Sequence, residues 1–235
     1  MLVSAVAAVA SFAAAAAASY GSNAVVGVPP APASTHFKDT YYFNTNLTLS
    51  APSIPYLPHR GDPAKYGSYV QLTVDFGSVL PIFQQLNATY GPLTSRGEAH
   101  ITVITPPEFL FAIKNALTIE EVEAIVLKHN LQSTPFRPVC VARQSQVVTA
   151  ATSPAVGKRT FVYNILVDSP GLYAIRREVQ KAYIAKGGDP SNFDYIAGFY
   201  PHITLGFETN DWFPEDHAYK TYATCFANIL PARRV

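Results

Sequence analysis

Charge is scarce in this chain. Of its 235 residues only 14% are Asp, Glu, Lys or Arg, and 17 basic against 16 acidic side chains leave a formal charge of +1. No run of Lys and Arg is longer than a pair, and no basic tail exists. Strong non-specific attraction to duplex nucleic acid is thereby excluded, while small or single-stranded substrates stay open. Cysteine is scarce too: Cys140 and Cys225 are the only two, and their spacing fits neither a redox nor a zinc motif. No G-x-S-x-G elbow is present, which disfavours a Ser–His–Asp hydrolase. No carboxylate or third His recurs at metal-ligand spacing, so neither a metal nor any other cofactor is expected. Beyond residue 18 no apolar run is long enough to span a bilayer. What is abundant is core material and proline: 49% of residues are hydrophobic, 12% are aromatic and 19 are proline. The length suits one domain or two small, closely packed lobes.

Residues 1–18 are apolar, uncharged and rich in alanine, and they end in small residues. They read as a cleaved secretory signal; a membrane anchor is the alternative, disfavoured because alanine is only marginally hydrophobic and no basic residue follows at once. The mature protein is accordingly expected to be secreted, with no stable membrane insertion. Asn46-Leu47-Thr48 and Asn87-Ala88-Thr89 are glycosylation sequons, placing Asn46 and Asn87 as acceptors. The even cysteine count permits a Cys140–Cys225 disulfide, which the exported reading favours over two buried thiols. Residues 19–64 are rich in Pro, Ala, Ser and Thr and read as an extended arm, with an edge strand over 41–49 and His36 and His59 in loops.

The folded part, residues 65–235, shows one order of elements twice. Alternation predicts a strand over 68–76, a helix from a Ser78 cap to Tyr90, a strand over 99–104, helices over 108–116 and from a Thr118 capping box to 130, and a strand over 136–142. A small-residue loop over 142–157, with a possible strand extension at 146–148, separates the halves. A strand over 159–167 follows, then a helix capped by Ser169 and running to 185, a strand over 202–207 and a last strand over 221–230. Lobes near 66–145 and 158–235 therefore look like a diverged duplication with a cleft between them.

Each half contains His, apolar, Thr, apolar: His100-Ile101-Thr102-Val103 and His202-Ile203-Thr204-Leu205. In a strand the His and Thr of each copy share one face and the aliphatic residues anchor the other. Two histidines facing each other can serve as base and acid at neutral pH, and two hydroxyls can donate to the oxygens of a phosphodiester that gain charge on attack. Tyr200 and Phe207, beside the second copy, are candidates to stack a base. Core packing is the stronger expectation for Phe207, and Lys158 and Arg159 are weaker candidates for phosphate contact.

These paired motifs, with Pro201 ahead of the second and Gly206-Phe207 after it, resemble the signature of the 2H phosphoesterase superfamily, including the Swiss-army-knife RNA-repair-like proteins of fungi. The resemblance runs from about Tyr66 to the C-terminus. It implies a bilobal α+β fold of pseudo-twofold symmetry, with two antiparallel or mixed sheets and flanking helices around a central cleft. It also implies His100 and His202 as catalytic pair, Thr102 and Thr204 as phosphate-binding pair, and metal-independent hydrolysis of a 2′,3′-cyclic phosphate on a nucleotide or RNA end by a monomer. The proline-rich, exported front departs from an intracellular tRNA-processing role. The alternative class is a secreted nucleotide- or phosphate-binding protein without turnover.

Overall fold

Val70, Leu72 and Val74 alternate with Tyr69, Gln71 and Thr73, and Ile101 and Val103 alternate with His100 and Thr102. This period of two gives strands with one apolar face to bury, and it sets the architecture. The computed structural model describes residues 36–43, 53–148, 156–209, 211 and 219–231; the predicted leader, residues 1–18, and Asn46 lie outside them. In chain order the described elements are β1 (Thr40–Phe43), β2 (His59–Arg60), β3 (Ser68–Val74), α1 (Phe76–Tyr90), β4 (Ala99–Ile104), α2 (Pro106–Phe111), α3 (Ile119–Lys128), β5 (Arg137–Val147), β6 (Arg159–Asp168), α4 (Pro170–Ala185), β7 (His202–Phe207) and β8 (Cys225–Pro231).

All eight strands join in one mixed sheet, in the order β1-β8-β5-β6-β7-β4-β3-β2. Only β1 and β8 run parallel. The α+β class is as expected, but the expected pair of sheets is one continuous sheet, because the two His/Thr strands pair directly through Ile101 and Ile203. Around that pair the order β6-β7-β4-β3 is symmetric. In each half a strand leads through a helix to an antiparallel His/Thr strand: β3–α1–β4 and β6–α4–β7. The repeat in the sequence is thus a repeat of topology.

One face of the sheet is covered by helices. Val79, Ile82 and Leu86 of α1, Val122 and Val126 of α3, and Leu172, Ile175 and Val179 of α4 are buried in the same cluster as Ile101, Val103, Ile203 and Leu205. The opposite face carries the His and Thr side chains of β4 and β7. A smaller cluster of Val139, Cys140, Ala142 and Leu166 sits there with Phe37, Tyr222 and Cys225. Cys140 and Cys225 form the disulfide, tying β5 to the start of β8 across a sequence separation of 85 residues.

Several local expectations shift for identifiable reasons. Helix α1 is capped by Asp75, whose carboxylate accepts the Gly77 N–H at 3.2 Å, so it starts ahead of the predicted Ser78 cap. The helix predicted over 108–116 instead starts at Pro106 and ends at Phe111. Thr105 and Glu108 form a capping box, and the two prolines fill first-turn positions that need no N–H. β5 runs on to Val147, through the first residues of the loop predicted over 142–157 and into its possible extension at 146–148, because residues 143–147 pair along β6. His59 is not in a loop: it lies in β2, pairs with Tyr69 and stacks on that ring at 3.9 Å.

Arg176 locks the helical layer to the sheet. Its side chain is fully buried, and it donates to Val103 O (2.7 Å), both carboxylate oxygens of Glu108 (2.7 and 3.1 Å), Asp194 O and Tyr195 O (both 2.9 Å). Its guanidinium lies over the rings of Phe199 and Phe193. All five donor directions of the fork are thereby used, and the ion is both paired and desolvated. Removing it leaves the buried side of the Glu108 carboxylate with only the Thr105 N–H, and takes this donor from three carbonyls. Arg176→Met is expected to cost about 3–5 kcal/mol in urea unfolding; a loss under about 1 kcal/mol would show that water replaces the guanidinium without penalty.

Candidate functional site

The Ile101–Ile203 pair fixes the register of the two motifs. Antiparallel strands carried on from that pair set His100 opposite Thr204 and Thr102 opposite His202, all four on the face away from the helices. Each imidazole therefore faces the hydroxyl of the other motif. All four side chains are half-buried.

The tautomer of His202 follows from its neighbours. Nδ1 lies 2.5 Å from the Tyr200 carbonyl, which can only accept, so Nδ1 carries the proton. Nε2 is then a lone pair, and the Lys220 ammonium, which can only donate, points at it from 2.9 Å. Lys220 is deeply buried, with 4% of its side chain exposed, and its Nζ lies 3.6 Å from Asp211 Oδ1. Asp211 also holds Arg96 at 2.9 Å. Burial first, then the Lys220 charge, pushes His202 well below its ordinary pKa.

His100 stands in a different field. Its Nδ1 is 3.5 Å from Glu98 Oε1. In both motifs the residue two before the histidine thus faces Nδ1, through a backbone carbonyl in one and a carboxylate in the other. Burial lowers His100, with Arg96 and His59 adding to the effect, while the carboxylates of Glu98 and Asp211 oppose it.

A chain of hydrogen bonds runs sideways from Thr204 across three strands. Thr204 Oγ1 is 3.1 Å from Asn164 Oδ1, Asn164 Nδ2 is 2.5 Å from Gln144 Oε1, Gln144 Nε2 is 2.8 Å from Thr224 Oγ1, and Thr224 Oγ1 is 2.6 Å from the Thr221 carbonyl. The far end sets the direction. Because the Thr221 carbonyl accepts the Thr224 proton, Gln144 must donate to Thr224, Asn164 must donate to Gln144, and Thr204 must donate to Asn164. Asp211 Oδ2 is a second acceptor 3.4 Å from the same hydroxyl. In this arrangement the Thr204 proton points along the sheet and its lone pairs face the open side. Among the described residues no such chain engages Thr102.

Of the other residues singled out in the sequence, Tyr200 supplies the carbonyl that fixes His202, and its ring packs edge-on to Tyr219 at 6.1 Å. Phe207 lies opposite Val162, two residues from Asn164 on β6, so it shares the Thr204 face and packs on Val148 and Val162. Arg159 sits at the far end of β6, bonded to Ser145 Oγ, and does not approach the histidines. Asn87 is exposed near the end of α1, where its Oδ1 accepts the Leu93 N–H. Among the described residues no three His, Cys, Asp or Glu side chains gather as a metal ion would need. Lys220, Asp211, Arg96 and Asn164 are the site neighbours that sequence patterns missed. Lys220 is a single lysine in Tyr-Lys-Thr, and Asn164 is one polar residue in an apolar strand, although an amide at a position with the alternation of a buried strand is itself a signal.

With this geometry in view, the comparison with known families is informative. The family model described as "Swiss Army Knife, 2H phosphoesterase domain" matches residues 68–213, from the first residue of β3 through both motifs. The chain belongs to that family, a group of phosphoesterases that act through paired-histidine acid–base catalysis. No curated protein and no solved structure matches it.

The directed chain from Thr204 to Thr221 has a testable signature. In Asn164→Asp a carboxylate faces Gln144 Oε1 without a proton to donate, which is expected to cost about 1–3 kcal/mol at pH 8. Protonation restores the donor, so the folded state holds this proton more tightly than the unfolded chain, and the penalty shrinks as pH falls toward 5. Urea unfolding at the two pH values measures both; an equal loss at each would show that Asn164 is not the donor.

Proposed function

We propose that the protein hydrolyses 2′,3′-cyclic phosphates of nucleotides or single-stranded RNA ends without a metal, using His100 and His202 as its acid–base pair. The observation that carries this reading is the Ile101–Ile203 pairing, which sets two His–Thr pairs on one open face with each imidazole across from the other motif's hydroxyl. One imidazole takes a proton from water, the water oxygen bonds to phosphorus, the bond to one ribose oxygen breaks, and the other imidazole protonates that oxygen. Thr102, outside the hydrogen-bond chain, is suited to donate to a non-bridging oxygen. Thr204 must leave Asn164 or Asp211 to do the same. Tyr200 and Phe207 border the motif and offer aromatic faces to a base.

The Cys140–Cys225 disulfide supports folding in an oxidising compartment, in line with an exported chain. Exposed Asn87 is offered as a glycan acceptor on the same reading.

The test is turnover of 2′,3′-cyclic nucleotides by the purified protein in EDTA. Activity is expected to survive chelation, to follow a bell-shaped pH profile, and to fall roughly 10²- to 10⁴-fold in His100→Ala and in His202→Ala. Full activity in both variants removes the histidines from the reaction. Tight binding of several cyclic phosphates without turnover makes the protein a binder instead.

A further inference from the structure

Lys220 lies beyond the stretch that matches the family, and neither histidine motif requires it. Yet it is a buried ammonium whose Nζ sits 2.9 Å from the ring nitrogen that would have to accept a proton from water. Its carboxylate neighbour Asp211 is 3.6 Å away, outside hydrogen-bond range, and already holds Arg96 at 2.9 Å. An ammonium in that position is attracted to an anion more strongly than to a neutral imidazole, because a charge-assisted bond to phosphate oxygen is the stronger contact. The segment that follows the lysine is anchored twice: Thr224 takes part in the hydrogen-bond chain from Thr204, and Cys225 is fixed to β5 by the disulfide.

We propose that Lys220 is the third functional group of this site. In the free enzyme it donates to Nε2 of His202, and when a phosphodiester binds it turns to a non-bridging oxygen and releases that nitrogen to act as the base. This rests on the phosphoesterase reading above, and it assigns the two roles. His202 takes the proton of the attacking water on Nε2. The water oxygen bonds to phosphorus, the phosphorus–ribose oxygen bond breaks with its electron pair on the ribose oxygen, and His100 gives that oxygen a proton. One water is consumed, His202 returns its proton to solvent, and His100 is reprotonated. The charged groups around the pair agree with the order. His202 faces Lys220, with His100 and Arg96 near and the Tyr200 carbonyl on its other nitrogen; His100 faces Glu98, with Arg96, Asp211 and His59 near. Cations dominate the first setting and carboxylates support the proton in the second, so His202 is the ring that loses its proton first.

The experiment uses the full disulfide-bonded chain and follows both imidazoles by NMR titration in wild type, Lys220→Met and Lys220→Arg, with a dispersed spectrum as the check that each is folded. His202 is expected to titrate below His100 in wild type and to move upward in Lys220→Met, with Lys220→Arg lying closer to wild type. On 2′,3′-cyclic CMP, Lys220→Met is expected to raise KM roughly 10- to 100-fold and to shift the acid limb of kcat/KM to higher pH. His202 titrating above His100 in wild type, or Lys220→Met leaving KM and the acid limb in place, overturns the proposal. Should wild type turn over no cyclic phosphate, the reading of function fails by itself. The NMR titration, with inorganic phosphate added and its binding expected to weaken in Lys220→Met, then still decides whether Lys220 holds His202 and an anion.

Discussion

The pairing of Ile101 with Ile203 is the constraint on which the site depends. It is the one register contact between β4 and β7, and thus the seam where the β3–β4 half of the sheet meets the β7–β6 half. Shifting either strand by one residue would turn its His and Thr into the helical layer and its aliphatic residues outward. Both isoleucines are fully buried in the main core, as are Val103 and Leu205 beside them. The hydrophobic term that packs the helices against the sheet therefore also holds the imidazoles on the open face. Arg176 reinforces the same seam by donating to the Val103 carbonyl while holding the carbonyls of residues 194 and 195 on the approach to β7.

The backbone around that seam is symmetric, and the chemistry on it is not. His202 donates to a carbonyl and receives a bond from a buried lysine; His100 lies by a half-exposed carboxylate. Thr204 is drawn into a directed chain of amides and hydroxyls, and among the described residues Thr102 is not. A reaction that adds a proton on one side and removes one on the other needs two groups of unlike proton affinity. A duplicated motif supplies two like groups, so the difference has to come from what surrounds them. Here those surroundings come largely from one side of the sheet, from β5, β6 and the segment leading into β8.

How much of this is legible in the sequence depends on the range of the interaction. The two motifs, the strands that carry them, the capping box at Thr118 and the helix start at Ser169 are set by neighbours within a few residues, and local pattern reads them directly. Two sheets were expected because strand alternation says which face is buried and nothing about which strand lies beside it; β4 and β7 are joined by residues about half the folded chain apart. His59 reads as a loop residue because two residues are too short to show a period, and only pairing with Tyr69 and Ser68 makes them a strand. Asp75 outcompetes Ser78 as a cap because a carboxylate three residues earlier meets the first free N–H groups. Lys220 is hidden for a further reason: its role comes from its contact with His202, and a lone lysine is ordinarily a solvent-exposed residue.

The disulfide bears on the same asymmetry. Cys225 pairs with Cys140 on the open face, beside Leu166, which lies opposite His202 in the ladder. The turn of residues 222–224 ahead of it delivers Thr224 to Gln144, and Lys220 stands just before that turn. Besides the cross-link, β8 and the turn ahead of it meet β5 through the pairs at Val141 and Ala142, the Gln144–Thr224 bond and Arg143 over Phe226, with β1 on the other edge. A segment that must keep an ammonium buried beside an imidazole opposes a desolvation cost of several kcal/mol, and two ladder pairs with β5 are a short stretch of backbone pairing for that load. The covalent bond restricts the alternatives open to the segment in the unfolded chain and in partly opened states alike. Its position, at the start of the strand that follows the lysine rather than at the seam between the motifs, is the expected one if the charged neighbour, and not the histidine pair, is the part of the site hardest to keep in place.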